Sequence, residues 1–515
     1  VYHRIMPFPV RLTSRALPAT ALAALVGCGG PSFSVVAGDG GTDAVADHAV
    51  KDGTVADVGT SDAHAKDAHA KDAAAAGDAS VADSTAKDAP GRDAPVDTAR
   101  PDAPVDGGTA TGTGCSVVGG ADNVYVTTAG TAAGPGTLAS PFGTIAAGIK
   151  AAAALGVTRA YVCVGAGRYT EPNLIVPAHV TVVGTAGAAS TTLVGTSSVA
   201  CLDKTTCALT LSRGSQFQGF TVAAPPGPDA STLPENGIVT LGVEQASDLL
   251  VAAPAVWNVV VNGFTSTVAG GGVGIDALSD VDVGPNVTAN GNAIGLVSSA
   301  PNAAVVHVKG TTNHFDGNGG HGMDFVGAAS LLFEGGSTSN NPNCGIRLGG
   351  SAPDAGLPPH HTISNLTATG NGNHGIAVYT PVQYLTLRGS TVLAGPPAPS
   401  TNGNSGLFFS YGSAAGASPS ALDIGTPGDP GNNTFGVQSP QAGSEPKGAG
   451  LFLCGASPAS QLAAHDSFSQ CLPILQTAVA TCGTLPAAYV DVAYTLAAST
   501  TGSAPVVATS CTVGQ

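Results

Sequence analysis

Five short stretches repeat one pattern, an Asn/Gly-rich turn, then glycine, then an apolar residue. They are "NGNAIGLV" (290–297), "DGNGGHGMDF" (316–325), "NNPNCGIRL" (340–348), "NGNHGIAVY" (371–379) and "NGNSGLFF" (402–409). Their anchoring glycines, Gly295, Gly322, Gly345, Gly375 and Gly406, stand 27, 23, 30 and 31 residues apart, with weaker copies at Gly237, Gly274 and Gly450. A period of 20–30 residues with short alternating strands marks a solenoid, whose coils bury their apolar edges only against their neighbours. The expected body is therefore all-β, with coils roughly 4.8 Å apart. Asn and Gly are expected to supply left-handed backbone at the corners, and stacked Asn to bond one another along the axis.

Alternation along a strand sets the direction of each side chain. Taking the residue after each anchoring glycine as inward gives an apolar column: Ile275, Leu296, Met323, Ile346, Ile376 and Leu407. The next position faces outward and reads Asp276, Val297, Asp324, Arg347, Ala377 and Phe408. On this register Asp324 is an exposed carboxylate beside Arg347 on the next coil. In "NHFDGNGGHGMDF", Asn313 to Gly320 reads as a corner, Met323 and Phe325 point inward, and only Asp324 faces out. Asp280 and Asp282 in "SDVDVG" add acid nearby with no evident partner. The residues before the anchors form a further column, His321, Cys344 and His374, whose types suit a metal but whose spacing over two coils, roughly 9–10 Å, is wide for one ion.

Ahead of the repeats, residues 123–184 contain Val124-Tyr125-Val126, Gly134-Pro135-Gly136-Thr137, Ser140-Pro141-Phe142, Gly165–Glu171 and Val180–Gly184. This module resembles the opening of many bacterial right-handed parallel β-helix proteins, and the repeats resemble the pectin-lyase-like superfamily. Ser140-Pro141 reads as a helix N-cap with proline at the first helical position. Ile145, Ile149, Ala152 and Leu155 then share one face, and Gly156 stops the helix. Such a helix would cap the open end of the first coil. The resemblance implies an outward strand face as the place for chemistry. In polysaccharide lyases of this fold carboxylates bind calcium and a base removes a proton beside a uronate. Asp276, Asp324 and Arg347 are the candidates, with Ca2+ as the cofactor of that reading; the column is interrupted by Val297, Ala377 and Phe408.

At the N-terminus, Arg11 and Arg15 precede a short apolar run, Ala16 to Val26, too short to span a bilayer. Leu25-Val26-Gly27-Cys28 resembles a bacterial lipobox, which implies cleavage before Cys28 and a lipid on its sulfur. Residues 29–114 form an Asp/Ala-rich tether, with Asp52, Asp57, Asp62, Asp67 and Asp72 at a five-residue period that fits neither helix nor strand. The β-helix is expected over 115–450, and 451–515 as a C-terminal cap tied by disulfides. Pairing by proximity gives Cys115–Cys163, Cys201–Cys207, Cys454–Cys471 and Cys482–Cys511, and leaves Cys344 free.

A net charge of −16 excludes a nucleic-acid partner. No phosphate loop, GxSxG elbow or HExxH motif occurs, and no Ser/His/Asp set is singled out. The sequence thus describes an exported protein, lipid-anchored to the bacterial cell envelope, whose β-helix is a structural or glycan-contacting module. Its alternative is a polysaccharide lyase or glycoside hydrolase on acidic polysaccharide.

Overall fold

The computed structural model describes residues 115, 121–196, 201, 206–226, 234–241, 252–266, 271–300, 304–349, 359–379, 384–395, 404–410, 421–425, 428–438, 448–456, 461–462, 467–468, 476–478, 489–496 and 506–507. The expectations for the lipobox, Cys28, the tether, Cys471, Cys482 and Cys511 lie outside the described residues. Within them, every paired strand runs parallel to its neighbours in a parallel β-helix. One coil shows the rule. Val281–Val283 joins the first sheet, Val287–Asn290 the third and Ile294–Ser298 the second, and the chain returns to the first sheet at Val305–Val308. The first sheet has eleven strands, from Asn123–Thr131 to Ala421–Asp423. The second has twelve, and Gly448–Ala456 and Tyr489–Leu496 carry it past residue 450, so parallel pairing continues into the segment expected to be a separate cap.

The inward column of the second sheet is in the expected register. Ile275, Leu296, Met323, Ile346, Ile376 and Leu407 pair in succession, and each is fully buried. The anchoring glycines, which lead from each corner into a strand, serve contact between coils. None of the seven from Gly237 to Gly406 has a positive φ. Instead, a Cβ added at Gly295, Gly322 or Gly345 would come within 2.5–2.6 Å of the carbonyl oxygen of the next glycine in the column. Coil stacks on coil through bare backbone, and that contact excludes any side chain. Left-handed backbone lies in the corners, as expected of their Asn and Gly, for instance at Gly291 (φ 67), Gly317 (φ 60) and Asn340 (φ 58).

Asparagines do stack as expected. Asn341 Oδ1 accepts the Asn318 backbone N–H at 2.9 Å, while Asn371 Oδ1 accepts the Asn341 N–H at 3.0 Å and its Nδ2 at 3.1 Å. All three are buried, so each side chain satisfies backbone groups that water cannot reach.

The capping helix spans Ile145–Ala154 and buries Ile145, Gly148, Ile149 and Ala152. Its N-cap is Thr144, whose hydroxyl accepts the Ala147 N–H, and not Ser140. Ser140 instead closes a turn on Thr137. Glu171, from the first coil, accepts the Ile145 and Ala146 N–H groups, so its carboxylate sits on the positive end of the helix. Gly156, at φ 65, ends the helix as expected, but Leu155 is 41% exposed and not part of the packed face. No described helix is long and apolar enough to cross a membrane.

Cys115–Cys163 and Cys201–Cys207 are disulfides, as proximity suggested. Cys344 is also disulfide-bonded, which corrects its reading as a free thiol. A repeat position shows which sheet a cysteine joins, and not what approaches that sheet from outside.

Candidate functional site

The outward column of the second sheet has the register read from the sequence but not the exposure. Asp276, Asp324 and Arg347 are 5, 1 and 8% exposed. Further along the same column Ala377, Phe408, Phe452 and Ala493 pair in succession and pack with Cys344 and Cys454 as a second apolar cluster. Outward from the coil is therefore not outward to solvent here. Arg347 holds Asp324 in a bidentate pair, Nε to Oδ1 at 2.7 Å and Nη2 to Oδ2 at 2.8 Å. Burial pushes the Asp324 carboxyl up while the guanidinium pulls it down. Both carboxylate oxygens are committed to arginine, so Asp324 does not fit a calcium ligand, and Arg347 does not fit a base open to substrate.

The His321, Cys344 and His374 column is equally internal. Nδ1 of His321 accepts the Cys344 backbone N–H at 3.3 Å, Cys344 has no thiolate to offer, and His374 Nδ1 lies 2.6 Å from Ser405 Oγ. Burial, reinforced by Arg347, lowers His321 to about 3, and burial lowers His374 to about 4. Both imidazoles are neutral spacers. Among the described residues no group of three His, Cys, Asp or Glu side chains is placed to hold a metal.

Solvent-accessible charged side chains gather on the outer face of the first sheet. Asp282 and His307 are register partners on successive coils. His307 stands between two carboxylates, with Nε2 at 2.8 Å from Glu334 Oε1 and Nδ1 at 3.7 Å from Asp282 Oδ1. Lys309 Nζ reaches Asp282 Oδ2 at 3.1 Å, and the Gly310 N–H donates to Glu334 Oε2 at 2.7 Å. Burial pushes the Glu334 carboxyl up, but the Gly310 N–H, the His307 contact and the Lys309 charge outweigh it and hold it below the ordinary glutamate value. A general acid needs the opposite shift. Asp280 is paired as well, to Arg213 at 3.0 Å.

Two strands further along, His360 and Tyr384 are register partners whose rings stack with centroids 4.4 Å apart and planes 15° apart. Arg388, at the end of the Tyr384 strand, bridges Asp423 at 2.9 Å and Asp429 at 2.6 Å. Thr362 and Thr386 fill the column between the ring pair and the charged groups. The face thus combines a stacked ring pair, hydroxyls, and fixed donors and acceptors of both signs on one parallel sheet. The alternation in "SDVDVG" and "VVHVKG" carries this signal, because an acid or base every second residue marks a solvated strand face. What it cannot carry is the meeting of Asp282, His307 and Glu334, which are 25 and 27 residues apart.

No protein-family model matches the chain, and no curated protein sequence is detectably similar. Among solved structures, the chain is similar to the Dettilon tailspike protein at 12% identity, covering 72% of this chain and 68% of that one with a TM-score of 0.41. It is similar to the A-module of the Azotobacter vinelandii mannuronan C-5 epimerase AlgE6 at 16% identity, covering 69% and 95%, TM-score 0.42. The periplasmic alginate epimerase AlgG matches at 12% identity over 66% and 77%, TM-score 0.32. Likenesses this distant carry no argument about chemistry, which rests on the side chains themselves.

Proposed function

We propose that this chain is an exported, envelope-anchored β-helix, lipid-linked through Cys28, that binds an extended polysaccharide along the outer face of its first sheet. The His360–Tyr384 stack carries the reading. It offers an aromatic surface to the C–H face of a sugar, in register with hydroxyls and beside charged groups that can take up hydroxyls or carboxylates. Coils spaced about 4.8 Å apart set polar side chains at regular steps along the axis on either side of the ring pair, which suits a linear polymer.

Affinity electrophoresis of the full chain through gels containing neutral or acidic polysaccharides tests it. A polymer that retards the wild type should lose up to about tenfold in affinity with Tyr384→Ala, in line with about 0.5–1.5 kcal/mol for a stacking contact. Lys309→Ala should weaken acidic polymers alone. Retardation by no polymer, or undiminished retardation of Tyr384→Ala, removes the proposal.

An enzymatic reading, a lyase or glycoside hydrolase on acidic polysaccharide, has one observation in its favour: His307, 20% exposed, lies within reach of two carboxylates and beside Lys309. Both carboxylates already accept hydrogen bonds from protein donors, so the site does not fit calcium. Release of ultraviolet-absorbing unsaturated products, abolished by His307→Gln, would establish that reading in place of simple binding.

A further inference from the structure

The third sheet carries a side-chain cluster that polysaccharide binding on the first sheet leaves unused. That sheet is formed in two five-stranded stretches, and His314 joins them by bridging Thr288 on one side and Ser337 on the other. Its N–H donates to Val287 O and its carbonyl accepts from the Ala289 N–H, both at 2.8 Å. Asn313 and Phe315 on either side are fully buried, whereas the His314 side chain is 49% exposed and that of Asp316 24%. The segment read from sequence as a corner is a strand-like bridge that turns His314 and Asp316 outward.

Ser337 Oγ lies 2.6 Å from Asp316 Oδ2 and 2.7 Å from His314 Nδ1. A hydroxyl has one proton, and a carboxylate only accepts. With Asp316 as the carboxylate, the serine proton points to Asp316, and Nδ1 must be the donor to Ser337. Asp316 is itself fixed, since its N–H donates to Asn290 Oδ1 at 2.7 Å and its Oδ1 accepts the Ser339 N–H. The order differs from a hydrolytic triad, in which the imidazole stands between serine and carboxylate. Ser337 is therefore no nucleophile. The relay instead fixes a tautomer: the proton sits on Nδ1, and the lone pair sits on Nε2 of a half-exposed ring.

We propose that His314 Nε2 is a general base on this face and that its substrate is a carboxylic ester. Nε2 takes a proton from water as the water oxygen bonds to the ester carbonyl carbon. The tetrahedral adduct then expels the alkoxide, which recovers the proton from the imidazolium, leaving an alcohol and a carboxylic acid. Thr288, one coil away in register with His314, places a hydroxyl on the side opposite Ser337, where it can donate to the developing oxyanion. A glycoside would need a second carboxyl group working as acid, and Asp316 is engaged by Ser337 and Ser339. An ester needs only the base. Asp316 and Ser337 are positioning residues.

The test uses the full chain with triacetin as the ester, following released acetic acid by titration at constant pH, with equimolar free imidazole as the background. The wild type should exceed both free imidazole and His314→Gln by at least about tenfold, below the full 10²–10⁴ of general-base catalysis. Carbon-13 and nitrogen-15 spectra of histidine-labelled protein should show His314 protonated on Nδ1, and Ser337→Ala or Asp316→Asn should return it to a tautomer mixture and lower the rate. Wild-type hydrolysis no faster than imidazole, an undiminished rate in His314→Gln, or a proton found on Nε2 each overturns the proposal. None of these outcomes bears on polysaccharide binding by the first sheet.

Discussion

Replacing Gly345 with alanine tests the claim that the anchoring glycines serve contact and not conformation. The added Cβ would stand 2.6 Å from Gly375 O, 2.7 Å from Asn371 Nδ2 and 2.7 Å from Thr338 Oγ1. The first of these is about 0.8 Å short of the 3.4 Å at which ordinary contact begins. The neighbours cannot swing aside. One is backbone, and another belongs to an asparagine whose Oδ1 holds two donors of Asn341. Relief requires the coils to part, which lengthens the Gly345 N–H bond to His374 O, now 3.0 Å. Overpacking of this kind costs about 1–3 kcal/mol, and each buried hydrogen bond weakened adds about 1 kcal/mol. The expected loss is therefore about 2–4 kcal/mol. Gly291→Ala is the comparison, because Gly291 has φ 67 and nothing within 4 Å of its missing Cβ. It should lose only about 1–2 kcal/mol, the cost of left-handed backbone. Urea unfolding followed by circular dichroism ranks the two. Because a solenoid can open locally, amide exchange in Ile346–Leu348 should also accelerate in Gly345→Ala alone. If Gly345→Ala proves as stable as Gly291→Ala, the contact argument is wrong.

Arg347→Met alone should cost about 3–5 kcal/mol by leaving Asp324 charged and buried, whereas Arg347→Met with Asp324→Leu should recover most of it in the same unfolding assay. Acid should destabilise the protein through His321 and His374. Their folded values of about 3 and about 4 lie below the unfolded value of 6.5, so the unfolded chain takes up protons first. Their contribution is complete above pH 6.5 and falls as the pH drops toward 4, by up to about 1.4 kcal/mol per pH unit for each. Unfolding midpoints between pH 7 and 4 should show a shallower slope in His374→Asn than in the wild type.

The one-dimensional character of a solenoid explains how much was legible. Each coil repeats the demands of the last, so period, register, the inward apolar column and the asparagine ladder all leave a mark at fixed positions in the chain. Even there the cause of a residue is not always written in the chain. The repeat marks the anchoring glycines without saying why they must be glycine, and only stacked coordinates reveal a carbonyl where the Cβ would be. The site was harder to read. Asp324 and Arg347 were correctly placed as neighbours facing away from the core, yet alternation is blind to anything packed beyond the sheet, and both are buried.

The residues that do reach solvent were hidden for a related reason. His307 meets Asp282 and Glu334, and His314 meets Ser337, only because coils of unequal length bring them level, and loop lengths between coils follow no period. Asn313–Asp316 looked like a corner because its Asn, Asp and Gly are corner residues by type, while its partners, Thr288 and Ser337, are distant in sequence. The sequence by itself determined which residues stack on which along each column of the second sheet, since repetition encodes neighbours. Only the tertiary structure decided which columns remain open to solvent and which side chains share hydrogen bonds across coils, because exposure and reach depend on everything packed around a strand and not on the strand alone.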